Sequence, residues 1–177
     1  DLGGGRFAAE QVLGVLEPSA VRRRFDLTED DLEQIRRWVR ETGIRWGIDA
    51  DSKRTLDLPA TAEHTWRTGL DRLLLGYALP GEGRRLYGDL LPYDEIEGSA
   101  AQALGGLQHF TEALFGLEAL LRERRPWAAW ITVLGTVLEQ FFDPREREEN
   151  ELQLIRNALA TLDDHAAQAG LVEPVSL

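Results

Sequence analysis

Apolar residues recur at intervals of three or four along most of the chain, which is the spacing of one face of an α-helix. The clearest stripe consists of Leu32, Ile35, Trp38 and Val39. Thr28 suits the N-cap of this helix, and the acids at 29–31 favour its first turn. Gly43 suits its end. The pattern therefore predicts a capped helix between Thr28 and Gly43.

The same periodicity predicts six further helices, which differ in length. They cover residues 7–16, 19–24, 61–78, 99–124, 126 up to the Asp143-Pro144 stop, and 145–168. Residues 44–58 instead indicate a loop, with one short extended piece at 56–58. Residues 84–98 indicate an ordered connection whose apolar members reach the core. We expect an all-α fold, an irregular helical bundle with one long loop region, and a single domain over 1–177.

Large apolar side chains in these helices are the expected core. They are Trp38, Trp66, Leu70, Leu74, Tyr77, Trp127 and Trp130. Gly105, Gly106 and Gly116 lie inside the predicted 99–124 helix, where each costs about 1 kcal/mol relative to alanine. Their presence predicts close helix packing or a kink there.

Charge and composition narrow the class of protein. The chain has 20 basic and 31 acidic residues, a net charge of -11, so it does not resemble an isolated binder of duplex DNA. Because cysteine is absent, disulfides and thiolate metal sites are excluded. The lack of cysteine fits a reducing cytoplasm, and no apolar run is long enough to span a bilayer, so we expect a cytoplasmic protein without a membrane partner. The chain begins with Asp1 and has no methionine, which favours a segment of a longer protein.

Catalytic motifs are mostly missing from the sequence. The glycine-rich stretches at 3–5 and 81–83 lack the lysine of a phosphate-binding loop, and the three histidines are widely spread. Five loop acids are the candidates for a Mg²⁺ site: Asp49, Asp51, Asp94, Glu95 and Glu97. Their spacing specifies no metal geometry, so solvated loops are the simpler interpretation. We expect no catalytic residue, metal or cofactor.

One basic cluster suggests contact with DNA. Its members are Arg22, Arg23, Arg24, Arg36, Arg37, Arg40, Arg45 and Trp46. Guanidinium groups beside an exposed indole can hold a phosphate and stack a base of single-stranded DNA. The competing interpretation is that Trp46 packs under the loop and the arginines form ion pairs with nearby acids, Asp26, Asp30, Asp31 and Glu33. We favour ion pairing, because these acids are so close in sequence.

Several segments of the chain closely resemble the RecC family, the gamma subunit of exodeoxyribonuclease V. The segments are Val21-Arg22-Arg23-Arg24-Phe25, Glu41-Thr42-Gly43-Ile44-Arg45-Trp46-Gly47-Ile48-Asp49, Leu58-Pro59-Ala60-Thr61, His64-Thr65-Trp66-Arg67, Leu74-Leu75-Gly76-Tyr77-Ala78 and Leu91-Pro92-Tyr93-Asp94. They keep their order and approximate spacing over residues 12–98. The resemblance is looser over 99–177, where it rests on helical character and on a few aromatic residues.

The resemblance implies a place in a larger machine. RecC is similar to a superfamily 1 helicase that has lost its motor residues, and this segment resembles the helical accessory (2B-like) subdomain. It implies a non-catalytic structural segment that helps form a DNA channel, in a complex that repairs double-strand breaks by homologous recombination. RecB-like and RecD-like subunits would be its partners and would carry ATP hydrolysis and strand cleavage.

Two alternatives remain open at this stage. One is a stand-alone helical protein-interaction domain, with a homodimer as one form of it. The other is a small hydrolase that uses carboxylates from the loops at 48–57 or 94–97.

Overall fold

A computed structural model describes residues 6–79, 85–96, 98, 100–171 and 173–176. Eight helices occur in these residues: α1 Ala9–Val15, α2 Ser19–Arg24, α3 Glu29–Glu41, α4 Ala50–Arg54, α5 Trp66–Ala78, α6 Ala100–Leu121, α7 Trp127–Phe141 and α8 Glu146–Gln168. The described ranges contain no β-strand, only two isolated bridges. The predicted all-α class is therefore confirmed.

The cap predicted at the start of α3 is present. The Thr28 hydroxyl accepts a hydrogen bond from the backbone N–H of Asp31 at 3.1 Å, and the Asp31 carboxylate accepts one from the Thr28 N–H at 2.8 Å. This reciprocal capping box satisfies two backbone donors at the helix start. It fixes α3 in the position that places Leu32, Ile35, Trp38 and Val39 in the core.

The predicted loop at 44–58 is wrong in one respect, because it contains α4. The Asp49 carboxylate caps this helix by accepting from the Ser52 N–H at 2.8 Å, and the Ser52 hydroxyl accepts from the Asp49 N–H at 3.0 Å. The extended piece predicted at 56–58 is also wrong, since residues 55–57 form a turn. A helix of five residues is too short to show an apolar period, so only its cap could reveal it.

Helix α5 starts later than predicted. Thr65 is its N-cap and accepts a hydrogen bond from the Thr68 N–H at 3.4 Å, so residues 61–64 lie before the helix. The buried face of α5 is formed by Trp66, Gly69, Leu70, Leu73 and Gly76. The helix therefore buries Gly69 and Gly76, whereas the apolar pattern predicted that Leu74 and Tyr77 would be buried.

The prediction that Tyr77 belongs to the core is wrong, since its side chain is 52% exposed. A Cβ atom added at Gly76 would lie 1.7 Å from the Tyr93 carbonyl oxygen, so backbone occupies the inner side of the last turn of α5. Leu74 is partly buried against the core, and Trp127 is half-buried. Trp38, Trp66 and Trp130 have no exposed surface, and Leu70 is 7% exposed.

One hydrophobic cluster joins α1, α2, α3, α5 and α6 with Phe141 of α7. Trp130, Leu138 and Leu152 are also buried but are not members of this cluster. They lie in the α7–α8 pair, whose helices pack on each other, while α7 also contacts α2. The chain thus has a main body and a helical pair attached to it through α2.

The described residues contain no helix that is both long and apolar enough to cross a membrane. In the 84–98 connection, Tyr93 and Ile96 are buried as predicted for its apolar residues, but Leu86 and Leu91 are exposed. The glycine stretches at 3–5 and 81–83 lie outside the described residues.

Candidate nucleic-acid interface

The three arginines of α2 bind other parts of the same chain. The Arg22 guanidinium donates to the Leu16 carbonyl at 3.1 Å, and the Arg24 Nε donates to the Glu139 carbonyl at 3.3 Å. Arg23 donates to the Asp143 carbonyl at 2.8 Å through Nη2 and forms an ion pair with Glu148. Arg23 and Arg24 therefore fasten α2 to the α7–α8 pair, while Arg22 caps the end of α1.

Two arginines of α3 form ion pairs. Arg36 pairs with Glu33 and, at 3.0 Å, with Glu17. Arg37 pairs with Glu41 at 3.4 Å and with Glu95. These side chains are already neutralised by carboxylates, so they offer less charge to a phosphate.

The ion-pair partners differ from those expected from sequence. Of Asp26, Asp30, Asp31 and Glu33, only Glu33 pairs with an arginine in the part of the chain that the structure describes. Asp31 is used by the cap of α3. The other partners, Glu17, Glu41, Glu95 and Glu148, are brought near by the helix or by the tertiary fold.

The side chains of Arg40 and Arg45 differ from these arginines in their surroundings. Within the described ranges, neither side chain has an acidic group within 4.0 Å or a hydrogen-bond partner. With Arg36 they line a groove of about 550 Å³ between α1, α3 and the segment after α3. We call it the α1–α3 groove; Ala8, Ala9, Glu10, Leu13, Gly14, Glu17, Val39 and Ile44 complete its lining.

One face of the Trp46 indole is covered by another side chain. The Lys53 ammonium lies 4.5 Å from the centre of its ring, a cation–π contact. Lys53 is only 3% exposed and donates to the Glu63 carbonyl at 2.6 Å. Burial lowers the pKa of the Lys53 ammonium, and nearby Glu63 partly opposes that shift. Lys53 therefore covers one face of the Trp46 indole and ties it to the loop before α5.

Three side chains join α3 to the 85–96 connection. The Tyr93 hydroxyl donates to a carboxylate oxygen of Glu41, which also pairs with Arg37. Burial, reinforced by this hydrogen bond, raises the pKa of Tyr93 to about 12. The same hydrogen bond, with help from Arg37, lowers the pKa of Glu41. The cluster is a structural link, because its charged groups satisfy each other.

The loop acids do not converge on a common point. Asp49 caps α4 and pairs with Arg67 at 3.4 Å, and Asp51 pairs with Arg54 at 2.6 Å. Glu95 pairs with Arg37, and Glu97 lies outside the described residues. Among the residues that the structure describes, no group of three or more histidine or acidic side chains could hold a metal ion.

A sequence profile described as RecBCD enzyme subunit RecC, fourth domain, matches residues 1–177. The chain belongs to this RecC family. The match covers the whole chain, including residues 99–177, where the resemblance of individual motifs is looser.

Curated relatives carry the same name, RecBCD enzyme subunit RecC. The protein of Escherichia coli (strain K12) is 40% identical over 174 residues, which are 97% of this chain and 15% of the relative. The protein of Mycobacterium tuberculosis (strain CDC 1551 / Oshkosh) is 35% identical over 134 residues, 76% of this chain and 12% of the relative. The protein of Buchnera aphidicola subsp. Acyrthosiphon pisum (strain APS) is 25% identical over 177 residues, 100% of this chain and 16% of the relative. The chain thus spans about 15% of the length of the E. coli relative.

Lys53 has a structural role in this RecC segment that the sequence pattern did not predict. It is the only lysine in the chain, among 20 basic residues, and it holds both Trp46 and the 61–63 loop. Since every other Lys or Arg position holds arginine, the single lysine is a weak sequence signal that a particular side chain is needed there. A compact ammonium on a flexible stem fits a buried carbonyl, whereas a planar guanidinium is suited to forked contacts.

Proposed function

We propose that this RecC segment is a non-catalytic structural module of a RecC-type subunit of exodeoxyribonuclease V. The observation that carries the proposal is the family match over residues 1–177. The geometry supports it, because the loop acids serve as caps and ion-pair partners instead of forming a reactive site. In the intact complex the module contributes to the wall of a DNA channel and acts in the recombinational repair of double-strand breaks.

The proposed partners are RecB-like and RecD-like subunits, which supply ATP hydrolysis and strand cleavage in the cytoplasm. Residues 1–177 act in this scheme as one helical domain of the larger subunit. The mechanical link within it is the set of α2 arginines, since Arg23 and Arg24 reach carbonyl groups of α7 and of the α7–α8 loop. A stand-alone interaction domain is less well supported, because the match follows one family along the whole chain.

The structural role can be tested by loosening the core of the full-length subunit. Trp66 is fully buried and its indole N–H donates to the Phe7 carbonyl at 3.0 Å, so Trp66→Ala should cost about 3–5 kcal/mol of stability. We expect co-elution with RecB-like and RecD-like subunits and ATP-dependent nuclease activity to fall together. Gly105→Ala, at a position with open space around it, is the control that should leave both unchanged.

An assembled Trp66→Ala complex with normal composition but no nuclease activity would contradict the proposal. It would indicate that this segment contributes to catalysis directly. Normal assembly together with normal activity would also contradict it, because a structural module should not tolerate the loss of a central tryptophan.

A second proposal concerns DNA. Arg40 and Arg45 line the α1–α3 groove without a partner in the described chain, so their charge is available to a phosphate of single-stranded DNA. Arg45→Ala should weaken binding of an oligonucleotide to the segment and reduce the salt slope by about 0.7 per lost phosphate contact, as measured by fluorescence anisotropy. Arg147→Ala, an exposed arginine of α8, removes the same charge as a control. Equal effects of the two substitutions, or binding insensitive to salt, would contradict the proposal.

A further inference from the structure

The outward side of α8 carries a stripe of aliphatic residues. Leu154 is 70% exposed, Ile155 46% and Leu162 47%, and Ala158 between them is exposed as well. Leu154, Ala158 and Leu162 are spaced by four residues, so they lie on one face of the helix. At a rise of 1.5 Å per residue the stripe is about 12 Å long. We call these four residues the α8 stripe.

The described residues of this segment do not cover the stripe. The opposite side of α8 packs on α7, where Leu152 is buried. Ile155 and Leu162 lie three and ten positions after Leu152, a spacing that favours a shared helix face, yet both are exposed. Single exposed leucines are ordinary on a protein surface, but a contiguous apolar stripe on one helix marks an interface.

Helix α7 shows the same excess of apolar surface. It has no charged residue before Glu139, yet only Trp130, Leu138 and Phe141 of this helix are buried. Ile131 and Leu134 are half-buried. A helix that is apolar around most of its circumference is normally enclosed within a larger protein. The α7–α8 pair therefore presents more apolar surface than the described chain covers.

We propose that the α8 stripe packs against another domain of the same RecC polypeptide. The chain spans 15% of the E. coli relative's length, so most of such a polypeptide lies outside this segment and is covalently tied to it. A covalently tethered partner acts at a high effective concentration, so it binds in every folded molecule. Permanent interfaces of this kind have apolar cores, and the aliphatic stripe fits such a core. The inference rests on the proposed role of this chain as a module of a larger subunit.

The chemistry of the stripe disfavours DNA as its occupant. Its side chains are aliphatic, with neither a cation for a phosphate nor an aromatic ring for base stacking. An aliphatic protein surface matches them.

Cysteine labelling tests the proposal in the full-length RecC-type subunit. This segment contains no cysteine, so Leu154→Cys and Leu162→Cys each introduce one thiol that mass spectrometry can assign to its peptide. Ala160→Cys is the matched control, because residue 160 is exposed on another side of the same helix. The probe is a maleimide, applied to the subunit alone and to its complex with RecB-like and RecD-like subunits.

We expect both stripe thiols to react at least about tenfold more slowly than the Ala160→Cys thiol already in the isolated subunit, since a packed surface must open before the thiol can react. Equal rates for the three thiols would overturn the proposal. Slow labelling that appears only in the complex would also overturn it, because another subunit would then be the occupant. A normal complex with freely labelled stripe thiols would refute this interface while leaving the proposed structural function intact.

Discussion

Single residues decide how closely the helices approach each other. A Cβ atom at Gly106 of α6 would lie 2.5 Å from the Phe25 carbonyl oxygen, whereas a Cβ at neighbouring Gly105 would meet nothing within 4 Å. The sequence predicted close packing or a kink from the presence of these glycines, but it could not tell which glycine is needed. That distinction depends on which side of α6 faces the turn after α2.

These two glycines provide a matched pair of substitutions. Gly106→Ala should reduce the free energy of unfolding by about 1–3 kcal/mol, because the new methyl group meets backbone that cannot easily move. Gly105→Ala should raise it by about 0.5–1 kcal/mol through helix propensity. Urea unfolding of the chain measures both. Equal stability of the two variants would contradict the close approach of α6 and Phe25.

The raised pKa of Tyr93 predicts that the folded chain loses stability at alkaline pH. Its pKa is raised to about 12 in the folded chain, from an ordinary value of 10.0. A raised pKa means that the folded state holds the proton more tightly, so this stabilisation is complete below pH 10 and is lost as the pH rises towards 12. The free energy of unfolding should therefore fall between pH 10 and about 12 by more in the parent than in Tyr93→Phe. Parallel declines in the two proteins would show that the tyrosine is not coupled to folding.

At the scale of whole elements, the apolar period predicted the longer helices well. Helices α2, α3, α7 and α8 begin and end close to their predicted limits, because each has clear stop or cap residues. Helix α4 was missed since its five residues contain only one full turn. The outward stripe of α8 could not be distinguished from a buried one, because periodicity reports that a helix has an apolar face without reporting what covers it.

The ends of α8 and α2 are joined by one carboxylate. Glu148 accepts hydrogen bonds from the Arg145 N–H at 2.7 Å and from the Ser19 hydroxyl at 2.8 Å, and it pairs with Arg23. The pKa of Glu148 is lowered mainly by the Arg145 N–H, then by Ser19 and Arg23. Acidification below its ordinary pKa should therefore weaken this junction.

Removing this carboxylate should loosen one end of the helical pair. Glu148→Ala should speed amide hydrogen exchange in the first two turns of α8, because it removes both the cap and the contacts to α2. Glu149→Ala is the control, since the ion pair of Glu149 with Arg156, at 2.6 Å, lies within α8. Hydrogen-exchange mass spectrometry distinguishes the two. Exchange that is equally fast in both variants would contradict the role assigned to Glu148.

For the molecule as a whole, fold class and family could be predicted from sequence, and the site only in part. Motifs such as Glu41-Thr42-Gly43-Ile44-Arg45-Trp46-Gly47 carry the family resemblance directly. The state of each arginine depends on tertiary contacts: Arg23 meets Glu148, which lies 125 positions away, while Arg40 and Arg45 line the α1–α3 groove and have no acidic group within 4.0 Å in the described ranges. Of the acids favoured by proximity in sequence, only Glu33 pairs with an arginine in the described ranges, because acids at a helix start, such as Asp31, are also drawn to backbone N–H groups.

The proposed role of this module is to support a DNA-processing complex without performing chemistry. The most direct test replaces the described loop acids together, Asp49→Asn, Asp51→Asn, Asp94→Asn and Glu95→Gln, in the full-length subunit assembled with its partners. We predict ATP-dependent nuclease activity within about twofold of the parent, a difference of less than about 0.5 kcal/mol in activation free energy. A fully assembled complex whose activity falls by about a hundredfold or more, as expected when a catalytic acid or base is lost, would contradict the account.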